Sequence, residues 1–94
     1  MQIIIVGCGK VGSTIAEQLS VEGHDIVIVD TDEEVVKALA TRLDLMGVTG
    51  NGATHSILEE AGVEDADLLI AVTESDELNL LCCMGGKKAG AEHT

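Results

Sequence analysis

Gly7-Cys8-Gly9-Lys10-Val11-Gly12 spaces three glycines as a backbone must be spaced to approach a phosphate. Gly7 permits a tight turn out of a strand. Gly9 presents no Cβ to a pyrophosphate, and Gly12 lets the next helix pack closely on the sheet. The free N–H groups and positive dipole end of that helix would face the phosphates. Asp30 lies about 18 residues beyond Gly12, where a carboxylate would accept hydrogen bonds from ribose hydroxyls and repel a 2′-phosphate. The pattern predicts a dinucleotide site that disfavours NADP. Without a ligand, it would be only a tight strand–helix turn.

Further candidates flank this core. The Lys10 ammonium either reaches the phosphates or is a solvated lysine of the first helical turn. Thr31 and Asp32 follow Asp30. Thr31 with Glu34 reads as a capping box, and Asp32 either adds a ribose contact or favours the helix start by its charge. Gly50-Asn51-Gly52-Ala53 follows the third predicted strand, and its backbone would edge an adenine, or form an ordinary glycine turn. Thr73-Glu74 follows the fourth, beside the phosphates or a second ribose, or as a helix N-cap. His55 reads as a surface residue.

These residues need strands that end at them. Ile3–Val6, Ile26–Val29, Leu45–Thr49 and Asp67–Val72 are apolar runs suited to strands buried on both faces. Val11, Ile15 and Leu19 recur at helical spacing toward a stop at Gly23. Val35, Val36, Leu39 and Leu43 give a second helix its apolar face. Ser56 with Glu59 forms a second possible capping box, opening a short helix to Ala61-Gly62. Glu77–Ala89 carries a fourth helical pattern, and Gly85-Gly86 predicts a bend or fraying there, at about 1 kcal/mol per glycine. The order β-α-β-α-β-α-β-α implies a Rossmann-type, doubly wound parallel sheet built through right-handed crossovers. It stops after the fourth βα unit, where a further strand is expected.

Bulk properties narrow the partners. With 94 residues there is room for one domain, and with no aromatic residue the core is aliphatic. The net charge of −12 argues against nucleic acid and anionic membrane surfaces, and permits a basic protein partner. No apolar run approaches the roughly 20 residues of a membrane span, and no basic leader precedes the first strand. A cytoplasmic setting is expected. Cys8, Cys82 and Cys83 form no CxxC pair and read as small buried residues of a reducing compartment, with a redox or metal role for Cys82 and Cys83 as the alternative. The histidines have no metal-ligand spacing.

The segments MQIIIVGCGKVGSTIAEQL, DIVIVDTDEE, VTGNGATHSILEEAG and DADLLIAVTESDELNLLCC closely resemble the RCK/KTN family. These are the nucleotide-binding domains of TrkA-type peripheral subunits in bacterial Trk/Ktr potassium uptake. The resemblance spans essentially the whole chain and implies one N-terminal NAD-binding domain over residues 1–94, incomplete at its C-terminal end. It implies NAD(H) as ligand, with ATP or ADP as the alternative, and no catalysis. It further implies homo-oligomers, dimers or larger rings, set against a membrane potassium transporter subunit. The family's nucleotide contacts would fall on Gly7–Val11, Asp30, Asn51-Gly52 and Thr73-Glu74. The rival reading is the cofactor domain of an NAD-dependent dehydrogenase, for which no His, Lys or Tyr here is a plausible acid or base.

Overall fold

Three consecutive isoleucines and a valine alternate across a sheet and so must bury both its faces. The computed structural model, which describes residues 1–94, shows them doing so. Strand β1 (Gln2–Val6) is followed by α1 (Lys10–Val21), β2 (Asp25–Asp30), α2 (Glu33–Leu43) and β3 (Met46–Thr49). Then come α3 (His55–Glu60), a 3₁₀ turn at Val63–Asp65, β4 (Leu68–Ala71) and α4 (Asp76–Ala89). All strands are parallel in the order β3-β2-β1-β4. This is the Rossmann-type α/β architecture the sequence predicts, with β1 central and the chain reversing direction across the sheet beside it.

The pleat divides the core. Ile3, Ile5, Ile26 and Ile28 pack with Cys8, Ala16, Val36 and Leu39 beneath α1 and α2. Ile4, Val6, Val29, Val48 and Leu69 pack with Leu58, Val63 and Cys82 beneath α3 and α4. Both Cys8 and Cys82 are buried and free. Burial and the nearby Asp30 carboxylate push the Cys8 thiol up to about 12. Burial and Cys83 push Cys82 up to about 11. Neither forms a reactive thiolate at neutral pH.

Local expectations are corrected in four places. Asp32, not Thr31, caps α2: its Oδ1 accepts from the Glu34 and Val35 N–H groups. Ser56 opens no capping box, because α3 starts at His55 behind Thr54, which makes no side-chain cap bond. Ser75, not Thr73, caps α4, accepting from Leu78 N–H at 3.1 Å. Helix α4 also runs unbroken through Gly85-Gly86. A Cβ on Gly86 would lie 2.5 Å from Leu69 Cδ2, so this glycine brings the helix close onto β4. Tertiary packing there outweighs the local helical cost of glycine.

The last residues touch the sheet at one point. His93 accepts from Leu69 N–H at 2.8 Å and donates to the Asp67 carbonyl at 3.1 Å, a parallel bridge along the outer edge of β4. No helix is long and apolar enough to cross a membrane.

Candidate functional site

The carboxyl ends of the strands meet in a cleft of about 350 Å³, lined by Val6, Gly7, Gly9, Asp30, Thr31, Gly50, Gly52, Val72, Thr73, Glu74, Ser75 and Leu78. It lies where crevices form in sheets of this winding, beside the strand at which the order reverses. Eight residues singled out in the sequence line it: Gly7, Gly9, Asp30, Thr31, Gly50, Gly52, Thr73 and Glu74.

Each glycine of the loop has its own geometric reason. Gly7 has φ +107°, and a Cβ there would lie 2.9 Å from the Val72 carbonyl. It therefore turns the chain out of β1 and lets the end of β4 come near. A Cβ on Gly12 would lie 1.7 Å from the Gly7 carbonyl oxygen, so α1 starts directly on the exit of β1. A Cβ on Gly9 would meet nothing within 4 Å. Its bare backbone faces open space, as a site for a bulky anion requires.

The head of α1 carries the donors. Gly9 is the N-cap and supplies no side-chain bond, and the first turn holds no acid. The N–H groups of Gly9, Lys10, Val11 and Gly12 make no hydrogen bond within the chain. Such free groups at the positive end of a helix dipole attract an anion. Lys10, Val11 and Gly12 are not among the residues that line the cleft. Lys10 and Val11 are exposed, while Gly12 is buried. Lys10 joins no ion pair within the chain, the pairs present lying elsewhere.

Asp30 ends β2 and ties the loop in place. Its Oδ2 accepts from Cys8 N–H at 2.7 Å and its Oδ1 from Asp32 N–H at 3.0 Å. A carboxylate has about four acceptor positions, so two remain for hydroxyl donors. The Cys8 side chain turns down into the core beneath α1, its Sγ 3.9 Å from the Val29 carbonyl oxygen. Only its amide faces the loop.

Asp32 and Asn51 lie outside the cleft lining. Asp32 spends its carboxylate on the α2 cap. Asn51 is exposed, and its Oδ1 accepts from Ala53 N–H at 2.8 Å, closing its own turn. Beside it, Gly52 is buried against Val6, where a Cβ would lie 2.5 Å from Val6 Cγ1. His55 pairs on the surface with Glu59, one turn along α3.

Sequence reasoning missed several lining residues. Ser75 and Leu78 enter because α4 starts later than Thr73 implies; Val6 and Val72 are strand ends whose apolar type carries no chemical signal. Asn79 was quoted only as part of a motif, yet it makes three hydrogen bonds to Thr73.

The donor set fits a nucleotide diphosphate: backbone amides in the centre, a carboxylate with spare acceptor positions at the β2 end, and aliphatic walls. The only ionisable side chains in the lining are Asp30 and Glu74, and no group of three or more His, Cys, Asp or Glu residues is placed to hold a metal ion.

Comparison with known proteins gives the family and the fold. The chain is 52% identical over 83 residues to the Trk system potassium uptake protein TrkA of Halomonas elongata, covering 88% of this chain and 18% of that relative. It therefore spans less than a fifth of that protein. Among solved structures, the Kef C-terminal domain of Shewanella denitrificans in an AMP-bound form superposes with a TM-score of 0.84 at 24% identity, covering 100% of this chain and 56% of that one. The NAD(P)-binding domain of an exopolyphosphatase-related protein from Archaeoglobus fulgidus gives 0.79 at 18% identity, covering 94% and 65%. At those identities the two structures speak for the fold alone. The family model described as the TrkA-N domain matches residues 3–94, and the chain belongs to the TrkA-N domain family.

Proposed function

We propose that this chain is a nucleotide-sensing regulatory domain of a potassium uptake system, binding NAD(H), with ATP or ADP as the alternative ligand. The observation that carries this reading is the head of α1. Its amides are unpaired, no side chain caps them, and the residue that opens it, Gly9, lines a cleft flanked by Asp30. The TrkA relative supplies the system, and the AMP-bound and NAD(P)-binding folds are consistent with the ligand class. The domain works without catalysis.

The nucleotide acts by favouring one arrangement of a homo-oligomer, set on the cytoplasmic side of a membrane potassium transporter subunit. A ligand shifts such an equilibrium only by its difference in affinity for the two arrangements. The oligomer is supported by α4, where Leu80, Leu81 and Met84 are each more than half exposed on neighbouring positions. The same helix is acidic at Asp76 and Glu77 and basic at Lys87 and Lys88. Two copies packed antiparallel would set unlike charges together at both ends.

A competition series of NAD, NADH, NADP, ATP and ADP tests the ligand. Binding of NADH with rejection of NADP is the expected result, and Asp30→Ala should weaken it by about 1–3 kcal/mol. Failure of every nucleotide to bind would remove the site. An affinity unmoved by Asp30→Ala would remove Asp30 from it.

A further inference from the structure

One side chain holds the turn between β4 and α4. Asn79 Oδ1 accepts from Thr73 N–H at 2.8 Å and from the Thr73 hydroxyl at 2.6 Å. Its Nδ2 donates to the Thr73 carbonyl at 3.2 Å. Both backbone polar atoms of Thr73 are thus bonded to Asn79, and its hydroxyl lies within donating distance of Asn79 Oδ1 and, at 3.2 Å, of the Ser75 carbonyl. The hydroxyl oxygen accepts in turn from Ser75 N–H at 3.2 Å. Ser75 Oγ accepts from Leu78 N–H and donates to Glu77 Oε2 at 3.3 Å.

Glu74 is the exception. It is exposed, lines the cleft, and its carboxylate enters none of the turn's hydrogen bonds or the chain's ion pairs. Asn79 does not line the cleft itself.

The strand order sets out the cleft's chemistry in a row. Asp30 ends β2, the bare amides follow β1, and Glu74 follows β4. The sequence across the crevice is acceptor, donors, acceptor. An anion fits the centre, and hydroxyl or amide donors fit the two ends. Glu74 serves the β4 end only while its turn keeps its shape.

We propose that Asn79 is a positioning residue, fixing the β4–α4 turn so that Glu74 receives the ligand's hydroxyl or amide donors on the β4 side. This rests on the nucleotide reading above and deepens it. Ligands then divide by their reach. AMP, with one ribose and one phosphate, uses Asp30 and the amides. NADH carries a second ribose and a carboxamide on past the phosphates toward β4. Asn79 therefore matters to NADH and little to AMP.

Calorimetric titration of the wild-type chain, Asn79→Ala, Glu74→Gln and the double variant with NADH and with AMP tests this. Asn79→Ala should weaken NADH about tenfold while AMP stays within about twofold. Glu74→Gln, at an exposed position outside the turn's bonding, should weaken NADH alone and add little once Asn79 is gone. An equal loss of both ligands in Asn79→Ala would make Asn79 a general fold residue and overturn the proposal. So would undiminished NADH binding in either single variant, or fully additive losses in the double. Wild-type chain that binds neither ligand would overturn the nucleotide reading, and this proposal with it.

Discussion

The heads of α1 and α2 lie a few residues from the same cleft, yet they are finished in opposite ways. Helix α2 begins behind Asp32, whose carboxylate takes two backbone N–H groups, and carries Glu33 and Glu34 in its first turn. Helix α4 repeats the pattern with Ser75, Asp76 and Glu77. Helix α1 has a glycine at its cap, no side-chain bond and no acid. In a chain with 17 acidic residues and a net charge of −12, it is the only one of the three long helices whose first turn carries no acid; the six-residue α3 also lacks one. The difference separates helix ends completed within the fold from one that leaves its donors open. A strongly acidic protein thereby keeps a local position where an anion is favoured.

The largest effect should come from the loop that separates these ends. Gly12→Val puts a side chain onto the Gly7 carbonyl and should cost about 3 kcal/mol of stability in urea unfolding, or prevent folding. Gly9→Val, facing open space, should leave the unfolding midpoint near that of the wild type and abolish NADH binding. If Gly9→Val folds and still binds normally, the anion does not sit over Gly9. Next come the completed ends. Asp32→Ala and Ser75→Ala should each lose about 1 kcal/mol of stability, measured the same way. Equal stability after either change would show those caps to be idle.

The smallest effect sharpens the contrast most. Val11→Glu adds an acid to the first turn of α1 at an exposed position. It should raise stability by about 0.5 kcal/mol through the helix dipole while weakening NADH binding. An acid there that leaves binding unchanged would mean that the α1 head is an ordinary solvated terminus.

Much of this was legible in the sequence. The run Ile3–Val6, the glycine spacing and Asp30 at the end of the next apolar run define the strand, loop and carboxylate, because each signal is local and steric. The caps were less legible. Thr31 and Asp32, or Thr73 and Ser75, are both good caps by type, and the choice depends on where the backbone leaves the sheet. Gly85-Gly86 misled for the opposite reason. Its local penalty is visible in the sequence, whereas the close approach of Leu69 that offsets it is not. Asn79 was invisible as a site residue because its partner is a turn that only the packed helix closes.

The contact between Gly12 and the Gly7 carbonyl has a final consequence. It braces the opening of the helix against the exit of the central strand, so the donor groups are already at rest where an arriving diphosphate would meet them. Little chain entropy is then left to lose on association, and the main cost is stripping water from amides and phosphate alike.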